Sequence, residues 1–182
     1  MKKTPAALGL CLFLLSPIAF AQDFFDLVKT GTPEQVQAAI AKGAKIDDRN
    51  KDDMTPLMSA AWYNPKREVV TTLLQAGAKV DDRNNYGVTP LMEAAGNNPN
   101  PEIITTLLKA GAKLDDRDNY GMTPLMAAAK NNQNPKVIIV LLKAGANPKL
   151  KSIEGKTAFD YAEENEKVKG TDAYWELKKA TF

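Results

Sequence analysis

Three acidic strings in this chain have the look of cation sites. Asp82-x-Asn84-x-Tyr86-Gly87, with Glu93 at the twelfth place, nearly spells a calcium loop. Its fifth place is tyrosine, which brings no carboxylate, and Thr89-Pro90 starts a helix inside the would-be loop. The parallel strings fail elsewhere. Asp48-x-Asn50-x-Asp52 lacks the glycine and reaches Ser59 at its twelfth place, and Asp116-x-Asp118 reaches Ala127. No metal site is expected. Nucleophilic catalysis has no footing either: the chain has no histidine, and its one cysteine, Cys11, lies in an N-terminal apolar stretch. That removes Ser–His and Cys–His pairs and any imidazole ligand. Paired carboxylates remain, but they run along a ridge with no evident pocket to raise a pKa. The expectation is a protein that is not an enzyme and carries no cofactor.

The elements that position these residues repeat. Thr55-Pro56-Leu57-Met58 returns at Thr89-Pro90-Leu91-Met92 and Thr123-Pro124-Leu125-Met126, and in degraded form at Thr157-Ala158-Phe159-Asp160, each time after 34 residues. Gly43-Ala44, Gly77-Ala78, Gly111-Ala112 and Gly145-Ala146 keep the same step. Two markers in phase over four periods define a stacked array. Within one period, Thr89 caps a helix with Pro90 at its first position. Leu91, Ala94 and Ala95 give that helix a small apolar side, and Met58, Met92 and Met126 read as core filler. A polar loop at Asn98–Asn100 leads to a second helix opened by Pro101, whose apolar face is Ile103, Ile104, Leu107 and Leu108. Gly111 ends it, and Lys113 to Asn119 forms a hairpin-like finger. Leu74, Leu108 and Leu142 are expected to be buried between units.

Helix, loop, helix and finger, with Thr-Pro-Leu opening the first helix and Leu-Leu-x-Ala-Gly-Ala closing the second, resembles the ankyrin-repeat family over nearly the whole chain beyond the N-terminal stretch. The resemblance implies an all-α fold: a solenoid of helix–loop–helix units with protruding β-hairpin-like fingers. Five units fit, at about 22–50, 51–84, 85–118, 119–152 and 153–182, the outer two degraded as end caps. The family's usual histidine after Thr-Pro-Leu is replaced by methionine, and Asp53 stands where Gly87, Gly121 and Gly155 stand later. The asparagine- and proline-rich loop is a style of bacterial members. The recurring Asp47-Asp48-Arg49, Asp81-Asp82-Arg83 and Asp115-Asp116-Arg117 read as a cross-finger ladder, since the triplet does not vary.

Residues 1–21 have the layout of a signal peptide: Lys2 and Lys3, an apolar run, and Ala19-Phe20-Ala21 before Gln22. The apolar run is too short to span a membrane stably, and Leu10 before Cys11 is too large for a lipoprotein cleavage site. Cleavage would remove two lysines, taking Lys+Arg from 24 to 22 against 22 Asp+Glu. A chain so balanced has no cationic field for nucleic acid. The expected location is the periplasm, with release from the cell as an effector that binds a host protein as the alternative, and the isolated protein is expected to be a monomer. In the resembling family, partners meet finger tips and the exposed side of first helices. Carried over, the candidate contacts with a protein partner are Asp52, Met54, Tyr86, Val88, Tyr120 and Met122 at the tips. On the first helices they are Ser59, Trp62, Tyr63, Glu93, Asn97 and Lys130, with Asn131 beside the last. A small-molecule or cell-wall fragment stacking on the aromatics is the remaining alternative.

Overall fold

The computed structural model describes residues 17–182, with side chains from Phe24 onward. Most of the expected leader, Cys11 included, lies outside them. Among the described residues there are ten helices and no strand. They pair as α1 (Pro17–Thr30) with α2 (Pro33–Ala41), α3 (Pro56–Tyr63) with α4 (Arg67–Gln75), and α5 (Pro90–Asn97) with α6 (Pro101–Lys109). The last two pairs are α7 (Pro124–Asn131) with α8 (Lys136–Lys143), and α9 (Ala158–Glu164) with α10 (Asp172–Thr181). No helix among the described residues is long and apolar enough to cross a membrane.

The pairs stack into two rows. The first helices α1, α3, α5, α7 and α9 pack each on the next, and so do the second helices from α2 to α10. Local chemistry sets the starts: Thr55, Thr89 and Thr123 each accept a hydrogen bond from the N–H three residues on, with proline at the first helical position. Paired alanines, 60–61, 94–95 and 128–129, are fully buried and let neighbouring first helices approach closely. Met58, Met92 and Met126 are buried beside them.

The second helices bury Val69, Val70 and Leu73, then Ile103, Ile104 and Leu107, then Val137, Ile138 and Leu141, all without exposed surface. This corrects the sequence reading, which put Leu74, Leu108 and Leu142 in the inter-unit core. Those three are half-buried at its margin. The i, i+1, i+4 triplet defines the inward arc, and the following residue is turned about 100° away from its predecessor.

Each finger is a tight loop with no strand pairing of its own. Asn84 Oδ1 accepts from the N–H groups of Tyr86 at 2.9 Å and Val88 at 3.0 Å, and Asn84 N–H donates to Val88 O at 3.2 Å. Asn50 and Asp118 do the same in their fingers. The residues that imitate calcium ligands in the sequence therefore spend an oxygen on the turn. Gly87 takes φ 75°, which favours glycine, and a Cβ there would lie 2.6 Å from Asn119 Oδ1, so the space excludes a side chain. Asp53, at the same place one unit earlier, adopts φ 60° and is held by Arg49 at 3.1 Å.

Two ladders bind unit to unit. Arg49, Arg83 and Arg117 each donate across to the carbonyl 34 residues on, at 2.9, 2.8 and 2.7 Å. Arg83 adds an ion pair with Asp116 at 2.6 Å. The arginines of the repeated Asp-Asp-Arg triplet are thus structural and work mainly through backbone carbonyls, with the expected arginine–aspartate pair between fingers present once among the described residues. The second ladder is the loop asparagines. Asn98 Nδ2 donates to Ala61 O and Asn64 O, both at 2.9 Å, while its Oδ1 accepts from Asn100 N–H at 3.0 Å. Asn64, Asn132 and Asn165 repeat the arrangement.

Candidate functional site

The fingers overhang the first-helix row, and the space between is a groove. Tyr86 and Tyr120, tip residues of successive fingers, are 57% and 59% exposed. Asp52 holds the same place in the preceding finger and is exposed. Below the tips, Val88, Glu93, Asn97 and Met122 converge on one cavity of about 150 Å³, completed by Gly96 and Asp118. Tyr120, Met122 and Lys130 line the next cavity along, with Ile153 and Tyr161. Trp62 and Asn97 line a third, over the loop end of the first helices. Asn97 and Met122 each belong to two of these cavities, so the groove is continuous from α3 to α9.

Trp62 and Tyr63 stack on each other, centroids 4.9 Å apart and planes 2° from parallel. Tyr63 is exposed and Trp62 half-buried; Lys29 Nζ lies 5.5 Å from the tyrosine ring. Lys130 Nζ stands 5.2 Å from the Tyr161 ring, close enough for a cation–π contact.

Three candidates expected to be exposed are buried: Ser59 fully, Met54 and Glu93 nearly so. Ser59 and Met54 are thereby withdrawn from a partner, whereas Glu93 lines a cavity. Ser59 sits on α3, which packs between α1 and α5, and its Oγ is buried without a hydrogen bond. Met54 is turned inward by the finger closure, its N–H held by Asn50 Oδ1.

Glu93 shares the register of Ser59 and Ala127 but keeps an opening. It is 6% exposed and lines the cavity. Oε2 accepts from Asn97 Nδ2 at 3.2 Å, and no cation pairs with it among the described residues. Desolvation pushes its carboxyl up from the ordinary 4.5 to about 7, partly offset by the Asn97 hydrogen bond.

Gly96, Asp118, Ile153 and Tyr161 escape a reading based on exposed residue types. Register gives the signal for Gly96: it occupies the position of Trp62 and Lys130, so the row is notched at that unit. Tyr161 likewise stands in the register of Ser59, Glu93 and Ala127, and Ile153, 76% exposed, follows Asn85 and Asn119.

Stacked helix pairs, cross-linked fingers and an open groove define a repeat solenoid built for contact. The profile of ankyrin repeats in three copies matches residues 24–118, 66–152 and 97–171. The chain belongs to the ankyrin-repeat family, and such repeats mark a protein–protein interaction module. Among curated proteins nothing matches the chain.

Proposed function

We propose that this protein is exported to a bacterial periplasm, where it binds a partner protein through the groove between its finger tips and first helices and performs no chemistry itself. Binding there inhibits, protects or assembles the partner. The observation that carries this reading is the pair of tip rings, Tyr86 and Tyr120, held out in solvent on adjacent fingers above cavities that continue to Trp62. Exposed aromatics on a rigid frame are characteristic anchors of recognition surfaces. With units about 8–10 Å apart, a five-unit groove is long enough for an interface of ordinary size, about 800 Å² on each side. The leader-like residues 1–21 support export.

The test is crosslinking in the native envelope, comparing wild type with a Trp62/Tyr63/Tyr86/Tyr120 alanine quadruple. The expected result is a partner captured by wild type and lost from the variant; identical partner lists would remove this face. Cell fractionation separates periplasmic retention from release.

A further inference from the structure

The groove is not uniform, and its third unit carries two departures that face the same cavity. Where neighbouring units have Ser59 and Ala127, this one has Glu93; where they have Trp62 and Lys130, it has Gly96. The stack asks for neither. An acid in that register loses most of its hydration, and a glycine within α5 gives up helix propensity without being forced to. A Cβ on Gly96 would meet Ala127 Cβ at 3.6 Å and Asn131 Nδ2 at 3.8 Å, ordinary contacts, so alanine fits. Leaving the position empty keeps the cavity open beside the carboxylate.

We infer that this cavity, between Glu93 on α5 and Asp118 on the following finger, receives a protonated basic side chain, lysine or arginine, from the protein partner. The inference rests on the groove being the binding face and specifies what the partner brings to it. Glu93 is more than nine-tenths buried, and its Oε1 accepts no hydrogen bond among the described residues although it belongs to a side chain lining the cavity. Asp118 uses Oδ1 for the Tyr120 and Met122 N–H groups at 2.8 Å each, and its Oδ2 has no hydrogen-bond partner among the described residues. Val88, Met92 and Met122 supply aliphatic walls for the stem. The volume, about 150 Å³, matches that of a protein cavity able to hold benzene, and a guanidinium or ammonium group is smaller. The only cation nearby on α7, Lys130, lines the next cavity instead, over Tyr161. Carboxylates meeting a cation in partly water-excluded space form strong, charge-assisted hydrogen bonds.

The experiment titrates ¹⁵N-labelled protein at pH 8, where Glu93 is ionised, with Nα-acetyl-arginine methylamide and with its neutral counterpart, Nα-acetyl-norleucine methylamide. The expected result is saturable millimolar binding of the arginine probe that shifts the amides of Gly96, Asn97 and Met122. Norleucine and the Glu93→Gln variant should each bind at least tenfold more weakly. The variant's dispersed amide spectrum confirms its fold, since glutamine preserves volume. No saturable shift, equal shifts from both probes, or unchanged binding by Glu93→Gln would overturn the assignment. Failure of the pocket is separable from failure of the face. A partner lost from the aromatic quadruple but retained by Glu93→Gln leaves the groove standing and removes the basic anchor.

Discussion

At the scale of single residues, the stack depends on a few polar side chains placed where water cannot replace them. Asn98 is 1% exposed and serves four backbone groups drawn from two units, its Nδ2 shared among three carbonyls and its Oδ1 accepting one N–H. With each hydrogen bond worth about 1 kcal/mol and orphaned buried groups costing more, Asn98→Ala should lose about 3 kcal/mol, measured by urea unfolding. Asn98→Asp should do no better, because a carboxylate cannot donate to Ala61 O and Asn64 O. Glu93 works the other way. Its folded-state pKa, about 7, lies above the ordinary 4.5 because burial disfavours the charge. The folded protein therefore holds the proton more tightly than the unfolded chain does. This contribution is complete below pH 4.5, declines as pH rises through 7, and amounts to about 3 kcal/mol. Denaturation at pH 5 and pH 8 should show Glu93→Gln gaining on wild type by about that amount at the higher pH. A constant difference between the two proteins would show that the carboxyl is better solvated than its burial indicates.

At the scale of elements, the second helices show where burial energy is concentrated. Leu107 has no exposed surface and lies among residues of neighbouring helices; Leu108, next in sequence, is only half-buried. Leu107→Ala should cost about 2–5 kcal/mol, since a cavity remains, and Leu108→Ala about 1 kcal/mol, reflecting partial transfer alone. Equal losses in parallel urea titrations would return Leu108 to the core. The pair also marks what was legible in the sequence. Apolar spacing identified the helix pairs of the inner units and roughly which side is apolar, because the period is written in residue types. It did not separate the fully buried leucine from its neighbour, because that depends on the rotation each helix adopts against the next unit. The loop asparagines read as turn formers, yet Asn64, Asn98 and Asn132 are a buried spine whose partners lie 33 to 37 residues away. The exposure of the candidate residues was legible in part for the same reason. Tyr86 and Tyr120 are local consequences of a turn and project as expected, whereas the burial of Ser59 and Glu93 is decided by the adjacent helix.

At the scale of the whole molecule, the helices of each unit pack mainly on those of its neighbours among the described residues, so stability is a chain of interfaces with no single centre. The inner units are gripped on both sides by asparagine and arginine ladders. The last is held through α9 and α10 against α7 and α8, and through Asn165, whose amide donates to Ala129 O at 3.0 Å and Asn132 O at 3.1 Å. Its aromatic closure, Phe159 against Tyr174 at 5.0 Å and Phe182 at 5.7 Å, is covered by no further unit among the described residues, and Phe182 is exposed. That end should therefore detach first when its link is weakened. The two tryptophans report the ends of this gradient separately, Trp62 on α3 and Trp175 on α10. In backgrounds where one or the other is replaced by phenylalanine, unfolding followed by fluorescence should give coincident transitions for the otherwise unaltered protein. Adding Asn165→Ala should move the Trp175 transition to lower urea and leave the Trp62 transition nearly in place, because the lost hydrogen bonds join only the last unit to the fourth. If both transitions moved together, the stack would be cooperative over all five units, and the groove would respond to a partner as one rigid body.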